Sequence, residues 1–245
     1  MNPLVLIPAR MASTRLPGKP LACIAGRPMI LHVLDRALEA GIGRVAVAAG
    51  DPEIETIVRA AGGEVVMTDP ALPSGSDRVH AAACLLDPLG LHDVIINLQG
   101  DLPGLAPGDL GRVLLPLDDP EFDIGTLVTE ITTNEEAAAA SVVKVACAFE
   151  PGATVARALY FSRAIIPWGA GPLWHHVGVY AYRRPVLERF VRLRESLIEQ
   201  REKLEQLRAL QAGMQIGCAR IAAAPLGVDT PADLERIRTH MEAMR

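Results

Sequence analysis

The sequence predicts an α/β fold with a mostly parallel sheet covered by helices on both faces, and an antiparallel α+β insertion. In the first half, short apolar runs alternate with single helices, which implies right-handed parallel crossovers. In the second half, strand-like runs follow one another without long helices, which favours antiparallel pairing. No linker or low-complexity block separates the halves. We therefore expect one domain over residues 1–245, with a smaller subdomain within about 125–212.

Short, largely apolar segments in the first half predict the strands of the parallel sheet. The predicted strands are Leu4 to Ile7, Val45 to Ala49, Glu64 to Thr68 and Val94 to Leu98. The predicted connecting helices run from Pro28 to Gly41, from Asp51 to Gly62-Gly63, and from the polar segment 73–78 to Leu86. In the second helix, Asp51 is a typical N-cap and Pro52 fits the first helical position.

The second half alternates less regularly between strand and helix signals. Its predicted strands are Val142 to Phe149, Leu159 to Ser162, Val177 to Tyr182 and Ile216 to Ile221. Its predicted helices are Pro185 to Val191 and Leu204 to Ala212. A further helix follows Thr230-Pro231-Ala232-Asp233, where an acid three residues after a threonine is typical of a capping box. This mixture indicates an α+β insertion rather than a second parallel framework.

Composition limits the classes of function. The chain has a net charge of -5 and a pI of about 5.7, which argues against nucleic acid as a partner. Its cysteines form no C-x-x-C pair, so neither a disulfide framework nor a zinc site is indicated. No apolar run is long enough for a transmembrane helix, and the amino terminus does not resemble a signal peptide. We expect a cytoplasmic protein with no membrane partner.

A basic loop follows the first predicted strand and carries Arg10, Arg15 and Lys19. It is not a Walker A loop, because proline rather than serine or threonine follows Gly18-Lys19. Open α/β sheets bind ligands in loops at the carboxyl ends of their strands. Gathered there, three cations favour a polyanion such as a triphosphate over the alternative of a solvated basic loop.

Two acids are candidate metal ligands. Asp101 directly follows the fourth predicted strand, and Asp229 precedes the capped last helix. Asp101 should lie at the same sheet edge as the basic loop, because parallel strands end at one edge. Two carboxylates there could hold hydrated Mg²⁺ against phosphate oxygens. The alternatives are that Asp101 caps a turn and that Asp229 only complements the helix amino terminus.

Other polar residues carry weaker signals. Ser74, Ser76 and Arg78 form a polar loop suited to a base or a ribose, although helix capping explains Ser76 equally well. The histidines at 175 and 176 lack metal-ligand spacing, and a histidine beside a strand is more often structural. From the residues alone, the remaining weak candidates are Arg163, His176, Glu205 and Gln206.

Longer motifs occur in order from residue 4 to about 238. They are residues 7–10, 13–21, 73–78, 97–101, 160–163, 176–184, 204–208 and 225–231. The first motif, with Ile7-Pro-Ala-Arg10, indicates a sugar nucleotidyltransferase. The full set resembles the 3-deoxy-manno-octulosonate cytidylyltransferases, also called CMP-Kdo synthetases.

The resemblance implies a Rossmann-like nucleotidyltransferase fold and a homodimer formed largely through the antiparallel insertion. The implied enzyme is Mg²⁺-dependent and uses CTP. The anomeric 2-hydroxyl of 3-deoxy-D-manno-octulosonate (Kdo) would attack the α-phosphorus in line, giving CMP-Kdo and pyrophosphate for lipopolysaccharide synthesis. Catalysis would consist of positioning and electrostatics, without a covalent intermediate.

The resemblance also implies roles for individual residues. The catalytic residues are Arg10, Arg15, Lys19 and Asp101, and the metal ligands are Asp101 and Asp229. The nucleotide-binding residues are Arg10, Ser13, Lys19, Ser74, Arg78 and Gln99. The sugar-binding residues are Arg15, Gln99, Arg163, His176, Tyr180, Glu205 and Gln206.

Two segments depart from the family pattern. Leu102-Pro103 follows the metal aspartate, where the family usually has Glu-Pro, and this removes a carboxylate near the metal. Residues 48–51 lack the usual Thr-Asp pair. Neither departure removes a residue with an assigned role.

Alternative functions stay open at this point. One is CTP-dependent activation of a related acceptor, such as 8-amino-Kdo, sialic acid or methylerythritol phosphate. Another is a catalytically silent nucleotide-sensing module, although the acids and cations that catalysis requires are all present. A glycosyltransferase of similar topology would normally carry an Asp-x-Asp metal motif, which this sequence lacks.

Overall fold

The computed structural model describes residues 1–13 and 15–243. The chain folds into two compact units. The first contains residues 1–110 together with the chain from Pro225 onward, and the second contains residues 111–224. Within the described residues, no helix is both long enough and apolar enough to cross a bilayer.

The strands, numbered in chain order, are β1 (Pro3–Ala9), β2 (Cys23–Ile24), β3 (Arg27–Pro28), β4 (Arg44–Ala49), β5 (Val65–Met67), β6 (Val94–Leu98), β7 (Ile124–Glu130), β8 (Lys144–Ala146), β9 (Val155–Arg157), β10 (Tyr160–Ser162), β11 (Trp174–Arg183) and β12 (Ile216–Arg220). The α-helices are α1 (Met29–Ala40), α2 (Pro52–Ala60), α3 (Gly75–Leu86), α4 (Pro107–Leu110), α5 (Asn134–Ala138), α6 (Arg184–Val191), α7 (Leu197–Glu202), α8 (Gln206–Gln211) and α9 (Pro231–Ala243). The segments Lys19–Leu21 and Gly111–Asp118 are 3₁₀ helices.

A parallel sheet with the strand order β5-β4-β1-β6 is the framework of the first unit. Val5, at its centre, pairs with Val45 on one side and Ile96 on the other. Strands β1, β4 and β6 are almost wholly buried, which is why their sequences are nearly all apolar. Because the strands are parallel, the loops that follow β1, β4 and β6 share one edge of the sheet.

The returning chain is anchored to the first unit by a small apolar cluster. Its buried members are Ile24, Met29, Val228, Leu234 and Ile237. The predicted capping box at the start of α9 is confirmed, since Asp233 N donates to Thr230 Oγ1 at 3.2 Å and Thr230 N donates to Asp233 Oδ2 at 2.9 Å. The cluster and the cap together fix the backbone on both sides of Asp229.

The second unit has the strand order β10-β8-β11-β7-β12-β9. Strand β12 runs parallel to β7, and the other pairs in this unit are antiparallel. The longest strand, β11, shifts its register against β7 between Val177 and Tyr180. This irregularity is a β-bulge of the kind that redirects side chains near functional sites.

The predicted strands and helices of the first half are confirmed, with bounds close to those expected. The predicted antiparallel pairing in the second half is also confirmed, although β8 is shorter than the expected Val142 to Phe149. Strand β7, which pairs with both β11 and β12, was not predicted from the sequence. Gly125 and two threonines interrupt its apolar run. A Cβ at Gly125 would lie 2.2 Å from the Val113 carbonyl oxygen, so close packing requires glycine there.

Candidate active site

A cavity of about 340 Å³ lies in the first unit where β1 and β6 end and α3 begins. Its volume is within the range typical of small-molecule sites. Its lining includes eight predicted site residues, namely Arg10, Ser13, Arg15, Lys19, Ser74, Arg78, Gln99 and Asp101. The topology therefore brings the basic loop and Asp101 together, as expected for loops that follow parallel strands of one sheet.

Lys19 joins the two predicted metal ligands. Its Nζ lies 2.7 Å from Asp101 Oδ2 and 3.2 Å from Asp229 Oδ1, and it donates to the Val228 carbonyl at 3.1 Å. The 3₁₀ turn that carries Lys19 begins after Gly18, whose φ of 68° is the left-handed conformation that glycine adopts at little cost. The turn thus places one ammonium among three oxygen atoms.

The two arginines of the basic loop are more exposed than Lys19. Arg15 Nη2 lies 3.2 Å from Asp229 Oδ1, and its side chain is 64 % exposed. Arg10 is an exposed residue in the lining of the cavity. Ser13 Oγ accepts a hydrogen bond from Leu16 N at 3.4 Å, while Thr14, within the same motif, lies outside the described residues. The loop therefore contributes exposed cationic side chains to the lining of the cavity.

Asp51 holds this basic loop in place, a role that the sequence analysis missed. As predicted, Asp51 occupies the N-cap position of α2, but its side chain makes no capping hydrogen bond there. Its Oδ2 instead accepts from Met11 N at 2.7 Å. The available signal was that Asp51 follows β4 at the same sheet edge as the basic loop.

Ser74 is the N-cap of α3, so the suggestion that Ser76 caps the helix is wrong. Ser74 Oγ accepts from Asp77 N at 3.1 Å and donates to Asp77 Oδ2 at 2.6 Å. Gln99 Nε2 donates to Asn97 Oδ1 at 3.1 Å. These bonds orient two predicted nucleotide-binding side chains beside the amino terminus of a twelve-residue helix, a position that favours anions.

Arg78 is almost completely buried, at 2 % exposure. Its Nη1 donates to Thr68 Oγ1 at 2.5 Å and to the Asp69 carbonyl at 3.2 Å. Burial lowers the pKa of its guanidinium, and the nearby charge of Arg10 lowers it further. A Cβ at Gly50 would lie 2.8 Å from Arg78 Nη1, so the guanidinium fills the space that glycine leaves. Arg78 therefore holds the loop after β5 as well as lining the cavity.

The donor set around Lys19 fits a hydrated divalent cation. Two carboxylates and a backbone carbonyl surround its ammonium, which marks a position where the chain already stabilises positive charge. In the part of the chain that the structure describes, no group of three or more His, Cys, Asp or Glu residues is placed to hold a metal. Mg²⁺ typically binds through one or two carboxylates together with phosphates and water, so a third protein acid is not required.

Residues of the second unit form a polar cluster around His176. Thr126 Oγ1 lies 3.0 Å from His176 Nε2, and burial lowers the pKa of His176 to about 3. The His176 ring packs edge-on against Phe161, and its centroid lies 5.5 Å from that of Tyr180. Burial also raises the pKa of Tyr180, and the nearby Tyr182 and Glu205 raise it further. Both His176 and Tyr180 are therefore neutral near pH 7.

Glu205 and Gln206 begin α8. Glu205 Oε1 lies 3.8 Å from Arg208 Nη2. Gln206 is 6 % exposed, and its buried Nε2 makes no hydrogen bond with any described residue. A buried donor without an acceptor costs about 1–3 kcal/mol, so it is a reasonable place for a ligand oxygen.

The guanidinium of Arg163 donates hydrogen bonds to backbone carbonyls of the second unit. Nε donates to the Glu202 carbonyl at 2.8 Å, Nη1 donates to the Ala140 carbonyl at 2.9 Å, and Nη2 donates to the Lys203 carbonyl at 3.4 Å. Its backbone N–H also donates to Glu202 Oε2 at 3.0 Å. Arg163 therefore joins β10 to the end of α7, in addition to any contact with a ligand.

The fold and the cavity define a nucleotidyltransferase. A model of the cytidylyltransferase family matches residues 4–216, so the chain belongs to this family of enzymes. Within it, the chain belongs to the 3-deoxy-manno-octulosonate cytidylyltransferases. A curated member from Paramagnetospirillum magneticum is 56 % identical over 99 % of both chains. Another, from Bradyrhizobium sp. (strain ORS 278), is 62 % identical over 96 % of this chain and 95 % of its own.

Solved structures confirm the predicted fold class. A CMP:2-keto-3-deoxy-manno-octonic acid synthetase complexed with CTP superposes with a TM-score of 0.91 and 43 % identity, and the match covers 100 % of both chains. A UTP-bound UGPase from Acinetobacter baumannii superposes with a TM-score of 0.71 at 16 % identity, covering 100 % of this chain and 95 % of its own. The second likeness concerns the fold alone.

Proposed function

We propose that this enzyme transfers the cytidylyl group of CTP to the anomeric 2-hydroxyl of Kdo and releases pyrophosphate. The observation that carries the proposal is that Lys19, which lines the cavity with Arg10, Arg15 and Asp101, pairs with both Asp101 and Asp229. Cations beside paired carboxylates suit a triphosphate that arrives with a divalent ion. The names of the curated relatives and the CTP in the solved relative support this choice of substrates.

In this proposal the first unit binds the nucleotide. Arg10, Arg15 and Lys19 contact the triphosphate and stabilise the charge that develops on the departing pyrophosphate. The amino terminus of α3, capped by Ser74, adds a favourable field for anions. The base and ribose lie near the remaining predicted nucleotide-binding residues, which are Ser13, Arg78 and Gln99.

Asp101 and Asp229 would hold the divalent ion, which we propose to be Mg²⁺. When bound, the ion would neutralise part of the triphosphate charge and polarise the reacting phosphoryl group. The two carboxylates can hold it only if Lys19 gives up part of its contact with them. Lys19 would then be available to a phosphate oxygen, so it would pair with the two carboxylates before the ion binds and with the phosphate afterwards.

We assign the acid sugar chiefly to the second unit, through Arg163, His176, Tyr180, Glu205 and Gln206. The buried and unpaired Nε2 of Gln206 supports this assignment, because it can donate to an oxygen of the sugar. The neutral state of His176 supports a hydrogen-bonding role rather than a charged one. Arg15 and Gln99 are assigned to the sugar from the first unit, on the family motif alone.

Two negatively charged reactants repel each other in water, and screening this repulsion is the main task that we assign to the cations. The 2-hydroxyl would attack the α-phosphorus directly, with no covalent enzyme intermediate. This is consistent with the cavity, whose charged lining residues are cations and one aspartate. Positioning and electrostatic stabilisation would supply most of the rate enhancement.

Further parts of the proposal follow from the family. They are a homodimer formed largely through the antiparallel strands of the second unit, a cytoplasmic location, and a role in lipopolysaccharide synthesis. The alternative is activation of a related acid sugar such as 8-amino-Kdo. Leu102 supports this alternative, because Leu102 replaces the glutamate that the family usually has beside Asp101.

A matrix of nucleotides and acceptors tests the function. Pyrophosphate release is measured for CTP, UTP, ATP and GTP against Kdo, 8-amino-Kdo, sialic acid and methylerythritol phosphate. We expect release with CTP and Kdo and at least tenfold less with the other pairs. The Asp101→Ala variant, prepared in parallel, reports contaminating activity. Absence of release with CTP and every acid would contradict the proposal, and preference for 8-amino-Kdo would establish the alternative.

A further inference from the structure

The bulge in β11 places two aromatic side chains of the proposed sugar site side by side. Val177 pairs with Leu127 and Tyr180 pairs with Thr126, so Gly178 and Val179 lack partners in the β7 register. In a regular strand, residues four apart are separated by roughly 13 Å. The rings of His176 and Tyr180 are only 5.5 Å apart. The bulge therefore groups side chains that a regular strand would keep apart.

The hydroxyl of Thr126 lies at the centre of this bulge. Its Oγ1 is 2.8 Å from the Val179 carbonyl oxygen, 3.3 Å from the Val177 carbonyl oxygen and 3.0 Å from His176 Nε2. A threonine hydroxyl has one proton to donate and lone pairs that accept. Each of these neighbours can accept, so the single proton must be assigned to one of them.

The shortest contact decides where the proton goes. Two oxygens 2.8 Å apart repel each other unless a proton lies between them, so Thr126 donates to Val179. Its lone pair then faces His176 Nε2, and the contact at 3.0 Å is favourable only if that nitrogen carries a proton. The neutral imidazole must therefore be the Nε2–H tautomer, with a lone pair on Nδ1.

The lone pair on Nδ1 is available to a ligand. Within the described residues, the His176 ring makes a hydrogen bond through Nε2 and none through Nδ1. Burial keeps the ring neutral, so Nδ1 can accept a hydrogen bond but cannot donate one. Such an atom attracts a hydroxyl group and repels a carboxylate.

We propose that Thr126 is a positioning residue that locks His176 as the Nε2–H tautomer and so presents Nδ1 to a hydroxyl group of the acid sugar. The inference deepens the proposed function and rests on it for the identity of the ligand. It assigns His176 to a sugar hydroxyl rather than to the sugar carboxylate. None of the sequence motifs singled out Thr126, because β7 itself was missed.

Nitrogen NMR tests the tautomer without any substrate. Long-range ¹H–¹⁵N correlation spectra of the ¹⁵N-histidine-labelled protein at pH 7 separate the two tautomers, and the His176→Gln variant identifies the signal. We expect the Nε2–H form in the wild type and in Thr126→Ser, which keeps the hydroxyl. Thr126→Val, which replaces it with a methyl group of similar size, should give a mixture of tautomers. An Nδ1–H signal in the wild type would overturn the inference, even if neither variant folds.

Kinetics test the link to the sugar. Thr126→Val should raise the KM for Kdo by about tenfold and leave the KM for CTP within twofold, whereas Thr126→Ser should change neither. An unchanged KM for Kdo in a Thr126→Val protein whose tautomers are mixed would overturn the positioning role. If no acid sugar supports turnover, the proposed function fails while the tautomer result still stands, so the two failures are distinguishable.

Discussion

The ammonium of Lys19 lies 2.7 Å from Asp101 Oδ2, although the two residues are 82 positions apart in the sequence. The parallel sheet explains the meeting, since one residue follows β1 and the other follows β6 at the same edge. The same ammonium also binds Asp229, which the returning chain supplies. Lys19 therefore occupies the position in which we expect the divalent ion, and the two cations compete for the same carboxylates.

Removing this competition should strengthen metal binding in the absence of nucleotide. We expect Lys19→Met to bind Mn²⁺ about fivefold more tightly than the wild type, as measured by electron paramagnetic resonance, because a partly buried ion pair contributes about 1 kcal/mol. The same variant should lose at least about 100-fold in turnover with CTP. Arg27→Met is a suitable control, because Arg27 forms an exposed ion pair with Asp35 in the same unit. Unchanged Mn²⁺ affinity in Lys19→Met would contradict the shared position.

The two acids themselves should be needed for turnover but not for folding. We expect Asp101→Ala and Asp229→Ala each to lower kcat/KM by about 100-fold or more, as measured by pyrophosphate release, because each removes a proposed ligand of the metal. Their melting temperatures should stay within about 3 °C of the wild type, since both acids are partly exposed. Asp35→Ala controls for the loss of an acid. Near-normal turnover of both variants at saturating Mg²⁺ would refute the two-acid site.

Replacing Gln206 should have opposite effects on stability and on sugar binding. Gln206→Leu removes a buried donor that lacks an acceptor, so we expect the melting temperature to rise by about 2–4 °C. The KM for Kdo should rise at least about tenfold, with the KM for CTP unchanged. Gln211→Leu alters an exposed glutamine at the end of the same helix and should do neither. A destabilised Gln206→Leu protein with normal KM values would mean that Gln206 is only structural.

The buried His176 should make the protein sensitive to acid. Its pKa of about 3 lies below the value of about 6.5 in the unfolded chain, so the unfolded state binds the proton first as the pH falls. The stability that neutral, buried His176 contributes should therefore be fully present above pH 6.5. It should decline by up to about 1.4 kcal/mol per pH unit between pH 6.5 and pH 3, through this residue alone.

Urea unfolding at several pH values measures this effect. The decline between pH 6.5 and pH 4 should be smaller by about 3 kcal/mol in His176→Gln than in the wild type. His240→Gln, which alters an exposed histidine on α9, should follow the wild-type curve. Equal slopes for the wild type and His176→Gln would show that His176 is not held neutral by burial.

The first unit was predictable because its signals are local. Buried parallel strands such as Val94–Leu98 are nearly all apolar, and the sequence Asp51-Pro52 marks where a helix begins. These elements, taken with the rule that parallel strands end at one edge, were enough to expect Lys19 near Asp101. The contact with Asp229 was not predictable in the same way, because it depends on how the returning chain packs through Val228.

The second unit was harder to predict from the sequence because its strands depend on tertiary contacts. Strand β7 contains Gly125, which packing against Val113 requires and which interrupts the apolar pattern. The bulge in β11 comes from its register against β7, which no local pattern specifies. The contact of the Thr126 hydroxyl with His176 and the unpaired Nε2 of Gln206 therefore could not be predicted from the sequence and are seen only in the folded structure.

Crystals grown with CTP and Mn²⁺ test the central claim most directly, because the anomalous signal of manganese locates the metal. We predict a triphosphate in the cavity lined by Arg10, Arg15 and Lys19, with manganese at roughly 2.1 Å from carboxylate oxygens of Asp101 and Asp229. A triphosphate bound outside this cavity, or a manganese peak that touches neither acid, would contradict the account.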